Sequence, residues 1–358
     1  MACKKHMFCN SVLQKMIIDR QRFRSILTVF SFILFLFFIS TLTKNSLLND
    51  NSDTITVRNE SKRKHSHILP HLPSSCHSLF LTYDDLILDK YHLRNSIGIP
   101  FIIHQTWKSY ELRSKQKNWT STWCKNHQNQ KWTYVLWTDD DNRRLVRDYF
   151  PFFLTMYDSL TPFVCKVDVV RIMYMYLFGG VYIDLDYESL KPIDELLYKR
   201  KLIFGMMTYD YGTKESFPNS WFASEAKQKF WLFVLAKIWD RWELKPNYNV
   251  NFNTGPNLLF DSIEMYIKSQ LLTSKSFDEL IPKQNNKIVE LCNMTFLPPH
   301  YVNAYDWKAM RDLQPICSPE SQTFNPDECK LKLKPLYAIT YWSHTHGRGN
   351  DEKKNYLQ

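Results

Sequence analysis

The longest uncharged apolar run in the chain is Ser25–Thr43 (SILTVFSFILFLFFISTLT), 19 residues. As a helix it would reach roughly 28 Å, about the thickness of a bilayer's hydrocarbon core. A cleaved signal peptide has a shorter apolar stretch and a small-residue exit, and neither is present here. Lys4, Lys5, Lys15, Arg20, Arg22 and Arg24 precede the run, against Asp19. The positive-inside rule then predicts a cytosolic tail over 1–24, a signal anchor over 25–43 and a lumenal remainder. Residues 44–75 are polar and charged, with prolines at Pro70 and Pro73. They read as a flexible stem, which we extend to 96 and which carries a helical stretch near Leu79–Leu93 able to pack on the body.

Beyond Ile97 the pattern changes to short apolar runs alternating with longer amphipathic ones. Phe101–Ile103 and Trp132–Trp137 read as buried strands, and residues 114–126 as a helix. Thr138 is placed to cap a helix over Asp139–Tyr149, which Pro151 ends. A nearly all-apolar helix is expected from Thr161-Pro162, with Pro162 in its first turn, to Phe178, where Gly179-Gly180 stops it. Val181 to Asp186 follows as a strand. Later elements are a strand at 202–207, helices at 225–242 and from Pro256, and a strand at 337–341. Strands alternating with helices predict an α/β fold, a mixed but mostly parallel sheet flanked by helices, over residues 97–350.

Composition narrows the class. Hydrophobic residues are 44% and aromatics 15% of the 358 residues, which excludes a disordered or collagen-like chain. The formal net charge is +10, yet residues 1–96 hold 13 Lys/Arg against 7 Asp/Glu. More than half of the excess lies in the first quarter, where it serves targeting; no nucleic-acid partner is expected. Cys76, Cys124, Cys165, Cys292, Cys317 and Cys329 fall on the expected lumenal side, as do sequons at Asn59, Asn118 and Asn293. Six cysteines allow 15 pairings, and the sequence does not choose among them. No Cys-x-x-Cys spacing points to zinc.

The chemistry centres on Asp184-Leu185-Asp186. If the strand runs through the motif, Val181, Ile183 and Leu185 face the core, while Tyr182, Asp184 and Asp186 share the other face. The carboxylates would then stand roughly 6–7 Å apart at a strand's carboxyl end, where ligands of open α/β sheets bind. Two such groups suit a hard divalent cation, Mn²⁺ or Mg²⁺, that neutralises a departing diphosphate. The same spacing at Asp139 and Asp141 is explained by helix capping. Asp168 and Arg171 share a face of the preceding apolar helix, either as an internal ion pair or as contacts to a donor's ribose, base or phosphates.

Three blocks carry a resemblance: Ile99–Trp107 (IPFIIHQTW), Trp137-Thr138-Asp139, and Asp168–Asp194 (DVVRIMYMYLFGGVYIDLDYESLKPID). Together they resemble the family-32 glycosyltransferases with a DXD sugar-binding region. That family includes inositol phosphoceramide mannosyltransferases and alpha-1,4-galactosyl- and N-acetylglucosaminyltransferases. Pro218–Ser224 and Thr254-Gly255-Pro256 resemble further family blocks. The resemblance implies a GT-A fold, a divalent metal, a nucleotide-sugar donor (UDP- or GDP-hexose) and retention of anomeric configuration. It implies Asp186 as direct metal ligand and Asp184 at the donor ribose or the metal's water. Asp168, Arg171, Asn219 and His104 would then line the donor pocket. The C-terminal block departs from the family's pattern: Thr340-Tyr341-Trp342-Ser343-His344-Thr345-His346 has Thr340 for the leading His and His346 for the closing Trp. His344 is nominated as the third metal ligand, with His346 as alternative. No nucleophile is assigned; Glu188 and Asp210 are merely acids nearby in sequence.

The expected function is therefore transfer of galactose, N-acetylglucosamine or mannose to a glycolipid or glycoprotein glycan, at a Golgi or endoplasmic-reticulum membrane. The altered C-terminal block keeps a second reading open, a catalytically inactive lumenal glycan-binding or scaffold protein of the same fold. A dehalogenase-like phosphatase is disfavoured, because Tyr187-Glu188 follows the pair and the motif lies deep in the chain.

Overall fold

Short apolar segments bounded by turn residues form the strands, and most of them join one sheet. The computed structural model describes residues 80–88, 98–128, 132–210, 213–214, 216–244, 249–281 and 286–343. All of these lie in one unit spanning 64–358. The expected cytosolic tail, the apolar run 25–43 and most of the stem lie outside the described residues. Among the described residues, no helix is long and apolar enough to cross a membrane.

The strands are β1 (Phe80–Leu81), β2 (Ile102–Thr106), β3 (Thr133–Trp137), β4 (Gly180–Ile183), β5 (Tyr187–Ser189), β6 (Leu202–Gly205), β7 (Trp221–Ser224), β8 (Val289–Leu291), β9 (Met294–Leu297) and β10 (Ala338–Thr340). Eight of them form a sheet in the order β1-β3-β2-β4-β7-β6-β9-β8. Its members run one way, except that β7 opposes both β4 and β6, and β8 opposes β9. This is the expected mixed, mostly parallel α/β sheet. β5 and β10 pair antiparallel in a separate two-stranded sheet.

The helices follow the sequence pattern closely. They include α1 (Tyr83–Leu88), α2 (Ser114–Asn126), α3 (Asp139–Tyr149), α4 (Val164–Leu177), α5 (Lys229–Leu244), α6 (Val250–Asn253) and α7 (Pro256–Leu271). Thr138 caps α3 as expected: its hydroxyl accepts from the Asp141 amide, and the Asp141 carboxylate returns the bond. Several boundaries differ from expectation; the strand expected at 202–207 ends at Gly205, and the helix expected at 225–242 runs Lys229–Leu244. α4 begins at Val164, with Phe163 at its cap, so Pro162 stays outside it. The folded body also begins ahead of residue 97, because β1 pairs with β3 and buries Leu81, while Tyr83 and Leu86 of α1 are buried too.

Both faces of the sheet are covered, so its strands read as continuous apolar runs. On one side Ile103, Val181, Ile183, Leu185, Trp123 and Trp221 share a core. On the other, Tyr182 stacks on Phe222, with ring centroids 5.4 Å apart, and Phe222 meets Trp231 of α5 at 5.0 Å. Trp137 stacks on Tyr174 of α4 at 4.3 Å.

Gly179 and Gly180 connect α4 to β4 with φ of +66° and +96°. A Cβ on Gly180 would lie 2.6 Å from the Ile102 carbonyl oxygen, and one on Gly179 would lie 2.5 Å from the Ala226 nitrogen. Both positions demand glycine through conformation and through backbone contact. Gly98 has a φ of +92° but nothing within 4 Å. We expect Gly180→Ala to cost more than about 2 kcal/mol, strain plus overlap, and Gly98→Ala only about 1 kcal/mol. Urea midpoints of the two variants check the ranking; equal losses would contradict it.

Candidate functional site

β4 ends at Ile183, so the strand does not run through the acidic pair as the sequence led us to expect. Asp184–Tyr187 form a turn, closed by the Tyr187 amide donating to the Asp184 carbonyl at 3.3 Å. Even spacing of the carboxylates along a strand therefore does not apply. The turn is pinned by its backbone. The Asp184 amide donates to the Ser220 carbonyl at 2.9 Å, and the Gln105 side-chain amide donates to the Asp184 carbonyl at 3.3 Å. Gln105 is fully buried and held in turn by the Thr120 hydroxyl at 3.1 Å.

The side chains of the pair are anchored differently. Asp184 is about one-third exposed; its Oδ1 accepts from the Tyr182 hydroxyl at 2.6 Å and lies 3.5 Å from an Arg171 nitrogen. Asp186 Oδ2 accepts from the Ser343 amide at 2.8 Å and from the Ser343 hydroxyl at 3.3 Å. The Tyr341 amide also reaches the Asp186 carbonyl, at 3.3 Å. The segment after β10 thus wraps the motif from the C-terminal side.

Behind the turn lies a buried charge cluster. Asp168 on α4 is 3% exposed and Arg171 is 5% exposed. Their charged atoms stand 3.4 Å apart. Asp168 also accepts from the Asn219 side-chain amide and the Thr254 hydroxyl, each at 2.8 Å. Arg171 donates to the Asn219 carbonyl at 2.5 Å and lies over the Tyr182 ring, 4.6 Å from its centroid. The structure thus brings together Asp168, Arg171, Asn219 and Asp184, four residues the sequence nominated. Thr254 and Ser343 were not nominated, although each sits in a quoted block, Thr254-Gly255-Pro256 and 340–346. Tyr182 was placed only by strand alternation, as a neighbour of Asp184.

Charge in this cluster is finely balanced. Burial disfavours the ionised form of Asp168 and pushes its pKa up, against the pull of Arg171, Thr254 and Asn219. Burial also opposes the Arg171 charge, but Tyr182, Asp184 and Asp168 outweigh it and hold its pKa above the ordinary arginine value. Asp186 is pushed up to about 7, by burial first and by the Asp184 charge second, with the Ser343 bonds opposing.

His104 is corrected from the expected donor-pocket residue. It is fully buried. Its Nε2 donates to the Gly179 carbonyl at 2.9 Å, and its Nδ1 accepts from the Trp137 indole at 3.1 Å. Both ring nitrogens are spent inside the protein, and the ring packs against the stacked pair Trp137 and Tyr174. It tethers the glycine turn that aims β4. Glu188 is equally committed: its carboxylate takes Lys330 at 2.7 Å and the Tyr341 hydroxyl at 2.5 Å. His344 and His346 lie outside the described residues.

The oxygen donors fit a hard cation that keeps waters and substrate phosphates in its shell. Asp184 and Asp186 would hold it; among the described residues, no cluster of three or more His, Cys, Asp or Glu side chains has metal-binding geometry.

Residues 113–203 match the family described as glycosyltransferase sugar-binding region containing DXD motif. That region carries Asp168, Arg171, Asp184 and Asp186. Inositol phosphoceramide mannosyltransferase 3 of Schizosaccharomyces pombe is 37% identical over 118 residues, covering 33% of this chain and 33% of that protein. Mannosyl phosphorylinositol ceramide synthase SUR1 of Saccharomyces cerevisiae is 28% identical over 45% of this chain and 41% of its own length. An uncharacterized glycosyltransferase, L373, of Acanthamoeba polyphaga mimivirus is 29% identical over 48% of this chain and 67% of its own. The chain thus spans only about a third of the first of these relatives.

His104 also carries a pH dependence. Burial lowers its pKa from 6.5 to about 4, with the Gly179 bond opposing. The unfolded chain binds the proton near pH 6.5 and the folded chain only near pH 4, so stability falls as pH drops through that window. Between pH 7 and pH 5 this group alone costs about 2 kcal/mol. We expect His104→Gln to lower stability at pH 7 but to lose about 2 kcal/mol less than wild type on going to pH 5. Urea unfolding at the two pH values measures this; parallel losses would contradict it.

Proposed function

We propose that this chain is a metal-dependent, retaining hexosyltransferase of the GT-A type, using a nucleotide sugar. One observation carries the reading. The two carboxylates of the Asp184–Asp186 turn stand just past a strand's carboxyl end, each fixed by separate partners. The family match over 113–203 and the names of the relatives support it.

A bound divalent cation supplies the positive charge that stabilises the departing diphosphate. The chain's own residues prepare the place. Tyr182 and Arg171 orient Asp184, and Ser343 orients Asp186 through one oxygen. Arg171 adds a fixed positive charge behind the pair, in surroundings largely shielded from water where such charges act strongly. Asp168 and Asn219 hold Arg171 in place, and Asn219, partly exposed, faces the donor. His344 follows Ser343 directly, and we assign it as the further metal ligand.

The relatives' names favour mannose among the hexoses and a glycolipid over a glycoprotein glycan. We place the protein as a single-span type II protein of the Golgi membrane, anchored through residues 25–43. The disulfide between Cys317 and Cys329, with Cys124 disulfide-bonded as well, supports an oxidising lumenal setting for the body.

A screen of UDP- and GDP-hexoses, reading donor hydrolysis with and without Mn²⁺, tests the proposal. We expect one donor to be hydrolysed, chelation to abolish the activity and Mn²⁺ to restore it. Asp186→Asn should lower it on the order of 100-fold or more while the melting temperature holds. If wild type and Asp186→Asn bind no nucleotide sugar, or do so equally with and without metal, the enzyme reading fails and the glycan-binding scaffold stands.

A further inference from the structure

A cavity of about 480 Å³ is lined among others by Met207, Asp210, Lys214, Asn257, Asp306 and Lys308. That volume is within the roughly 300–1,000 Å³ of small-molecule sites. Its position follows from the topology. Met207 lies two residues past β6, and Asp306 follows β9, its parallel neighbour. The cavity therefore sits at the same end of the sheet as Asp184, with only β7 between β6 and β4. Two strand spacings, roughly 10 Å, separate β6 from β4, the strand that leads to the turn.

A second connection runs through α7. Asn257 is three residues beyond Thr254, whose hydroxyl holds Asp168. β7 supplies the other link, since Asn219 and Ser220 at its leading end hold Arg171 and the Asp184 amide. The entry to α7 thus connects the cavity to the carboxylate cluster, while β7 lies between the two strands that lead to them.

The lining tells what would bind. Asp210 and Asp306 face Lys308 and Lys214, and Lys214 is ion-paired to Asp261 at 3.5 Å, so the lining gives an anionic ligand no advantage. An amide joins them, and the side chains of Met207 and Ala309 add apolar surface. The Asn257 Oδ1 accepts no hydrogen bond from the described residues. Asp306 is 7% exposed, and its Oδ1 is fixed by the amides of Lys308 and Ala309 at 3.0 and 3.1 Å. Donors and acceptors interleaved over a small apolar surface suit a neutral ring bearing several hydroxyls, each of which donates and accepts.

We propose that this cavity seats the acceptor, a neutral hexose or polyol ring, with Asn257 and Asp306 setting its orientation. The proposal rests on the donor-site reading above. In the transfer, the acceptor hydroxyl oxygen bonds to the donor's anomeric carbon. The bond from that carbon to the diphosphate oxygen breaks with its electron pair. The hydroxyl proton passes to the departing diphosphate.

The test uses Asn257→Leu and Asp306→Asn in the full chain, with myo-inositol and methyl β-galactoside as acceptor probes. Asp306→Asn keeps an oxygen for the two amides, so it remains informative if Asn257→Leu folds poorly. We expect donor hydrolysis without acceptor, and the donor KM, to stay within twofold of wild type. The KM of the accepted probe should rise at least tenfold in each variant. Acceptor KM unchanged, or donor KM rising in step with it, overturns the proposal; the second result would give the cavity to the donor's own sugar. A wild type that hydrolyses donor yet transfers to neither probe overturns it too. A wild type that hydrolyses no nucleotide sugar would instead bring down the donor-site reading on which it rests.

Discussion

Arg171 is 5% exposed, yet its guanidinium faces Asp168 at 3.4 Å and Asp184 at 3.5 Å, donates to the Asn219 carbonyl and lies over the Tyr182 ring. A charge so buried is tolerated only when its partners are fixed as well. Those partners come from four places in the chain: α4, β4, the turn after β4 and the entry to β7. Thr254, just ahead of α7, adds a fifth by holding Asp168. One guanidinium therefore ties the central helix, the central strand and the loop before α7 into a single arrangement. The planar fork of arginine makes this possible, because lysine offers one point of charge where several directed bonds are needed.

The motif itself is shaped by what ends β4. Gly179 and Gly180 let α4 turn sharply into the strand against the β2 backbone, and His104 fastens that turn through the Gly179 carbonyl. The strand is then four residues long, and the acidic pair falls in the turn beyond it. Asp184 leans back to the helix cluster, while Asp186 is drawn toward the segment after β10. The two carboxylates thus answer to different parts of the fold, which keeps both in place although their charges repel. A cation between them would relieve that repulsion.

Much of this was legible in the sequence. The Gly-Gly stop, the cap at Thr138 and the apolar helix carrying Asp168 and Arg171 follow from local rules, and the structure has them. The choice of Asp184–Asp186 over Asp139–Asp141 also follows locally, since Asp141 is consumed by its capping bond. Long-range closures were not legible. Nothing in the spacing of Thr254 or Ser343 says that each completes a carboxylate 86 or 157 positions away. His104 misled because a buried histidine beside a pocket and one facing into it have the same sequence. β7, β8 and β9 escaped because their pairing partners decide their state. β1 was hidden in a segment whose composition reads as stem.

The central claim is that Asp184 and Asp186 together hold a divalent cation for a nucleotide-sugar donor. Anomalous diffraction from crystals grown with Mn²⁺ and with UDP or GDP tests it most directly. A manganese peak is expected within coordination distance of Asp186 and beside Asp184, with the diphosphate completing its shell. A bound nucleotide with no manganese at this turn, or with manganese elsewhere, would contradict it.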